Sequence, residues 1–164
     1  MTEGVHPLDD IEEPTHYFED LAVGQRFPIP SRTMTEALFA AFQLASADNH
    51  PIHYDVEYCR RHGHPHMLAH GFQVLIQTAP GAGDFPSYIG ASLVGFIEQS
   101  SRFLKPVYVG DTLYPILEIA ELTAQRTTGV AVLRSVVRNQ RGEHVLEGMM
   151  KFLIRRRPPA AGRK

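Results

Sequence analysis

The sequence predicts an α+β domain in which an antiparallel sheet packs on one buried helix, and three observations carry that prediction. Four segments of the second half are rich in Val, Ile, Leu and Phe and are separated by short turn signals. The first half instead shows helical pieces with capping residues. Between them, the stretch from Gly71 to Ala79 has a centre, FQVLIQ, that is apolar on nearly every side, which argues for burial.

Taken in order, Thr33 and Glu36 have the spacing of a capping box, with Thr33 as N-cap. Leu38, Phe42 and Ala45 follow at helical spacing, so a helix over 34–47 delivers Asp48 at its end. Asp55 is a good N-cap for a short helix through VEYCRRH, and Gly63 is a good stop. The third helix, 71–79, is broken by Pro80. SLVGFIEQSSRFL, DTLYPILEIAEL, GVAVLRSVVRN and EHVLEGMMKFLIR then read as strands, with turns at 109–111, 127–129 and 139–142. Pro115 cannot donate a ladder hydrogen bond, so its strand is an edge there or carries a bulge. Four successive strands after one buried helix suggest an antiparallel meander packed on that helix. A sheet wrapped around a long buried helix is the hot-dog arrangement.

Length and composition agree with one such domain. The chain has 164 residues, enough to bury a real core without a second domain. A net charge of −2 gives no global pull toward nucleic acid or an anionic membrane. No apolar run is long enough to cross a bilayer, and the acidic N-terminus carries no readable secretory signal. Cys59 is alone, which excludes a disulfide within the chain and favours a reducing cytoplasm. Residues 1–15 carry five carboxylates and two prolines and are expected to form a flexible acidic tail. The domain proper is expected over 16–155, with 156–164 a flexible basic tail. Arg155, Arg156 and Arg157 could attract an anion or RNA, against the plainer reading of a solvated terminus.

Chemistry is concentrated between Ser46 and Gly71, SADNHPIHYDVEYCRRHGHPHMLAHG, which holds six of the nine histidines. The alternating HGHPH (His62, His64, His66) lacks the i, i+4 spacing of a helical zinc pair. Gly63 and Pro65 make it an irregular loop without Cys or carboxylate, so neither a metal nor another cofactor is expected. Cys59, beside Arg60 and Arg61, reads as an inert thiol despite their pull on its pKa.

SADNHPIHYDVEYCR, AHG and FLKPVYVGDTL resemble the MaoC-like dehydratases, the family of (R)-specific enoyl-CoA hydratases, and the likeness extends from Tyr17–Phe27 to the last strand. Its most specific part is the set Asp48, Pro51, His53 and Asp55. The resemblance implies a hot-dog homodimer that adds water to a 2-enoyl-CoA thioester, with each pocket near the subunit boundary. It also implies Asp48 and His53 as the catalytic pair, and places the family's HG pair at His70 and Gly71. Two positions depart from the family's pattern: Ala47 stands where Gly is usual, and His50 where Asn is usual. The second change makes His50 a candidate substrate contact, as His70 is.

The residues support the same chemistry on their own terms. Hydrating an α,β-unsaturated thioester needs a base for water, an acid for C2 and a donor for the enolate oxygen. An imidazole and a carboxylate are suited to proton transfer at neutral pH. Pro51 stiffens the turn between Asp48 and His53, so both can face one pocket, and the Gly71 N–H at a helix start can hold the oxygen. Asp55 is an N-cap without a catalytic role. Arg102 and Lys105 are candidates for the anionic nucleotide end of CoA. Two other readings stand beside the hydratase. A hot-dog thioesterase would want a carboxylate on or beside the central helix, and that helix holds only Gln73 and Gln77. A non-catalytic acyl-CoA-binding module would not need both Asp48 and His53.

Overall fold

A computed structural model of the chain describes residues 16–159. The expected acidic tail, 1–15, and residues 160–164 lie outside the described residues. Strands β1 (Arg26–Pro28) and β2 (Arg32–Thr33) come first, then helices α1 (Glu36–Ser46), α2 (Val56–Arg61), α3 (Gly71–Leu75) and α4 (Phe85–Ile89). Four long strands complete the chain: β3 (Leu93–Phe103), β4 (Thr112–Ala124), β5 (Thr128–Asn139) and β6 (His144–Arg155). The class is α+β, and the antiparallel sheet wrapped over a helix is the hot-dog arrangement expected.

The sheet order is β1-β4-β5-β6-β3, with β2 also on β4. The expected four-strand meander is therefore corrected: β4, β5 and β6 meander, but β3 lies beyond β6. Sequence neighbours cannot reveal this, because the chain leaving β3 is engaged elsewhere. The Ala69 N–H donates to the Val107 carbonyl at 2.8 Å and the Val109 N–H to the Met67 carbonyl at 3.1 Å, which ties the connection to the segment before α3. Pro115 sits where β4 changes partner, since β1 pairs through Ile116–Glu118 and β2 through Thr112 and Leu113. The bulge lies elsewhere, between Ile119 and Glu121.

Two apolar clusters fill one face of the sheet. Phe27, Phe85, Ile89, Leu117, Leu133 and Phe152 belong to the first, which α4 covers. Met34, Phe39, Val74, Leu113, Val137 and Leu146 belong to the second, which lies beneath α1 and α3. Alternate burial along β4, at Leu113, Pro115, Leu117 and Ile119, shows the period-2 pattern of a sheet with one face covered.

The helices differ from expectation in detail. Thr35, not Thr33, caps α1, accepting the Leu38 N–H at 3.3 Å, while Thr33 is spent in β2. Phe39 anchors α1 in the core, whereas Leu38 and Phe42 are half-buried and Ala45 is exposed. The central helix is shorter than 71–79: five α-helical residues continue as a 3₁₀ turn, Ile76–Thr78. It is also not buried all round, because Phe72 is 72% exposed whereas Gln73 is buried. Asp55 caps α2 as expected, accepting from the Glu57 and Tyr58 amides at 2.9 Å. The basic terminus begins anchored: Arg156 pairs with Glu19 at 2.6 Å, and Arg157 with Asp20 at 2.7 Å. No helix among the described residues is long and apolar enough to cross a membrane.

Candidate active site

The site begins where α1 stops. Ala47 adopts left-handed backbone, φ 56°, and its N–H closes onto the Gln43 carbonyl at 2.9 Å. That conformation ends the helix and turns the chain into the next loop. The carboxylate of Asp48 then accepts the His50 N–H at 3.2 Å, a local turn that sets its orientation. His50 in its turn caps the 3₁₀ turn Pro51–His53, its Nδ1 accepting the Ile52 N–H at 3.3 Å. The imidazole thus does the loop-pinning job of the expected Asn, and His50 has an observed structural role besides any contact with substrate.

His53 is fixed from the other side. Its Nδ1 lies 2.7 Å from the Leu68 carbonyl, which can only accept, so Nδ1 carries the proton and Nε2 the lone pair. The Leu68 N–H binds the Ile52 carbonyl at 3.1 Å, and Leu68 bridges to Tyr108. The FLKPVYVGD segment thereby braces the stretch that holds His53 through the Leu68 carbonyl and ends in His70. Burial pushes the His53 pKa below its ordinary value, opposed by the Leu68 hydrogen bond and assisted by neighbouring His70.

His70 is the residue the spacing least explains. It is 3% exposed, its ring stacks on that of His53 at 3.6 Å, and its Nε2–H donates to the Asp48 backbone carbonyl at 3.1 Å. The same Nε2 lies 3.9 Å from the Asp48 carboxylate. Its Nδ1 is sealed from solvent and has no partner among the described residues. A side-chain donor atom of each of Asp48, His53 and His70 lies within 4.8 Å of the others. As a metal site this trio is short of ligands. Hydrogen bonding occupies one nitrogen of each ring and burial seals the other nitrogen of His70, which leaves two free donors where a catalytic zinc takes three. The HGHPH loop forms no cluster among the described residues; His62 Nδ1 binds the Tyr58 carbonyl and His66 Nδ1 the Met67 amide.

Asp48, His70 and Gly71 line one cavity of about 430 Å³ with Phe42, Ser46, Phe72 and Phe103. His53 stands one ring behind this wall, against His70. The Gly71 amide opens α3 and makes no hydrogen bond among the described residues. A five-residue helix contributes little dipole, so the expected help from that source is small. A Cβ on Gly71 would come within 3.3 Å of the Phe103 ring, so the glycine also lets that ring close the cavity. The aromatic walls Phe42, Phe72 and Phe103 were not legible as site residues; only the motif containing Phe103 hinted at one of them.

The two candidates for the anionic end of CoA separate. Lys105 lies on a groove that shares Gly71 and Phe103 with the cavity, but its ammonium is 2.6 Å from Glu143. Hydrogen bonds from Asn139, Lys105 and Arg141 hold the Glu143 pKa down to about 2. Arg102 opens onto a different groove, with Arg134, Glu147 and Met149, away from the cavity that its neighbour Phe103 lines. The alternation of a strand explains this, since successive side chains take opposite faces. Cys59 is buried, its Sγ 3.1 Å from the Ile52 carbonyl, and burial pushes its pKa up, against the pull expected from Arg60 and Arg61.

Comparison with known proteins gives a consistent picture. The sequence profile of the "MaoC like domain" family matches residues 20–140. The chain is 28% identical to an (R)-specific enoyl-CoA hydratase of Rhodospirillum rubrum over 68% of this chain and 74% of that protein. It is 30% identical to a 3-hydroxybutyryl-CoA dehydratase of Methylorubrum extorquens, over 67% of this chain and 68% of that protein. Among solved structures it is similar to a monoamine oxidase regulatory protein from Archaeoglobus, at 33% identity and a TM-score of 0.81, covering 88% of this chain and 97% of that one.

Proposed function

We propose, on the premise that the chain belongs to the MaoC-like domain family, that it reversibly adds water to a trans-2-enoyl-CoA thioester to give the (R)-3-hydroxyacyl-CoA. Asp48 and His53 form the proton-transfer pair, and the Gly71 N–H holds the thioester oxygen. The observation that carries this reading is that a side-chain donor atom of each of Asp48, His53 and His70 lies within 4.8 Å of the others, while Asp48 shares its cavity with an unengaged Gly71 amide.

In the hydration direction, His53 Nε2 accepts a proton from water as the water oxygen bonds to C3. The π electrons of the double bond shift toward the thioester, and the developing enolate oxygen receives the Gly71 N–H. Asp48 accepts a hydrogen bond from the water's second O–H, which stays on the oxygen, and fixes its direction of attack. Collapse of the enolate takes the proton from His53 to C2, so H and OH add to one face of the double bond. His53 suits this work better than His70, because the bonded Nε2–H and sealed Nδ1 of His70 leave it no proton to exchange with substrate. His70 is a positioning residue: it holds the Asp48 backbone and the face of His53.

The thioesterase reading is the weaker one, because α3 itself carries no carboxylate and the cavity's acidic group is Asp48, ahead of the Pro51–His53 turn. The deciding experiment incubates the protein with a panel of trans-2-enoyl-CoAs and follows loss of the conjugated-thioester absorbance, then assays product chirality. An (R)-3-hydroxyacyl product supports the proposal. Free CoA released without hydration would transfer the protein to the hydrolases.

A further inference from the structure

One residue is tied through its backbone to both members of the pair proposed for proton transfer. The His50 N–H donates to the Asp48 carboxylate at 3.2 Å, and the His50 carbonyl accepts the His53 N–H at 3.1 Å. A change in the course of the chain at His50 therefore reaches both reacting side chains. Its own ring holds that course: His50 Nδ1 accepts the Ile52 N–H at 3.3 Å and so caps the Pro51–His53 turn. The opening amides of a helical turn have no acceptor within it, so the side chain supplies one.

An imidazole differs from the Asn usual in the family in one respect that matters at this atom. To accept at Nδ1 the ring must be neutral, with its proton on Nε2. A second proton has only Nδ1 to go to, and it turns the acceptor into a donor facing the Ile52 N–H. The cap is then lost and two N–H groups oppose each other. An Asn carbonyl undergoes no such change where histidine titrates. His50 is exposed, so protons from solvent reach it.

The groups that face His50 can be named. Its ring meets that of His53 edge to face at 6.2 Å and that of Tyr58, on α2, at 5.7 Å. Beyond them His70 stacks on His53 and His62 on Tyr58. Asp48 brings a negative charge, already engaged by the His50 N–H. At the start of α2, Asp55 is taken up by the Glu57 and Tyr58 amides, and Glu57 by Arg60.

We propose that His50 is a proton-sensitive positioning residue: neutral, it holds the turn that aims Asp48 and His53, and protonated, it releases that turn and hydration is lost. The inference rests on the hydratase reading above for what the turn positions, and adds a control that an Asn at this place would lack. A positive His50 also pushes the His53 pKa down, so His53 in a His50→Asn variant takes up its proton slightly more readily. The slope of the acid limb, not its midpoint, is therefore the discriminating quantity.

The test follows log kcat/KM for a trans-2-enoyl-CoA against pH, with the fold checked by circular dichroism at each point. The native limb should approach a slope of about two, since two neutral rings are needed, and His50→Asn a slope of about one. His50→Ala, which removes the cap without adding a proton, should lower kcat/KM about fivefold at neutral pH, the scale of a lost cap, and also give unit slope. Nitrogen-15 NMR of protein labelled in histidine and isoleucine needs no turnover. His50 should be the Nε2–H tautomer at neutral pH, and the Ile52 amide proton should move upfield in step with His50 protonation. If no enoyl-CoA is hydrated, the hydratase reading falls, while an Ile52 amide that tracks His50 still supports the proton-sensitive cap. Equal slopes in native protein and His50→Asn, or an Ile52 amide indifferent to His50 protonation, would overturn the proposal.

Discussion

The imidazoles of His53 and His70 lie face to face, centroids 3.6 Å apart and planes 20° from parallel. Two imidazolium ions at that separation would repel strongly, so the stack favours at least one neutral ring. Desolvation acts in the same direction on His53, and together these outweigh its hydrogen bond to Leu68.

The first prediction concerns pH. The folded His53 pKa lies below 6.5, so in the window between the two values the unfolded chain binds more protons. The contribution to stability is complete above about 6.5 and is lost as pH falls through the lowered folded value. Hydration should climb with pH along a limb below the ordinary histidine range and be level by neutrality. Denaturant titrations of the native protein and His53→Gln at pH 5 and 7.5, with a kcat/KM profile, measure both. A kinetic midpoint above the ordinary value would contradict the assignment of His53 as the base.

The proton-transfer pair gives the second. Asp48→Asn and His53→Ala should each lower kcat/KM by about a hundredfold or more while the protein stays folded. His70→Ala should lower activity too, but also cost about 2 kcal/mol of stability by opening a cavity beneath the stack. Near-normal turnover in both Asp48→Asn and His53→Ala would show that the pair is misassigned.

A third prediction follows from the helix end. A left-handed alanine costs about 1 kcal/mol relative to glycine, part of which the freer unfolded chain offsets. Ala47→Gly should therefore raise the melting temperature by a degree or more with activity kept. His50→Asn should keep both fold and turnover, because an Asn carbonyl can accept the Ile52 N–H as the imidazole does now. A complete loss of activity in His50→Asn would assign chemistry to His50 that is here given to His53.

Lys105 supplies the fourth. If it meets the nucleotide end of CoA, its pair with Glu143 competes with substrate. Lys105→Gln should raise KM for a CoA thioester severalfold but leave a pantetheine thioester unaffected, and Glu143→Gln should lower KM for CoA. Matching effects on both thioesters would remove Lys105 from that role.

Much of this architecture is written locally. The four long strands follow from alternating apolar residues, and Asp55 from its side-chain chemistry. Asp48 lies near His53 and shares a cavity with Gly71, but His53 itself does not line that cavity. The place of β3 is not local, since its pairing with β6 joins residues about fifty positions apart, as in Gln99 with Met150. The stack of His70 on His53 depends likewise on Leu68 meeting Tyr108. Arg102 is different: once Phe103 is placed on the cavity, alternation alone sends Arg102 to the other face, a signal the sequence did contain.

The last prediction is assembly. The family resemblance implies a dimer, and within the chain the apolar residues Val145, Leu146, Met150, Phe152 and Ile154 of β6 are already buried. Exposed apolar surface lies on Phe96 and Ile97 of β3, on Phe72 of α3 and on Ile76 of the 3₁₀ turn that follows it, each more than half exposed. Strand β3, eleven residues long, is also one edge of the sheet, and its outer side pairs with no other strand among the described residues. A long apolar edge of this kind invites pairing with another strand, and a second copy offers the same edge in a two-fold arrangement. Native protein at micromolar concentration should therefore scatter light as at least a dimer of the 18.4 kDa chain. Ile97→Lys, which places a charge on that edge, should shift the mass toward one chain. A native mass of one chain with full hydratase activity would show that neither β3 nor α3 needs a partner.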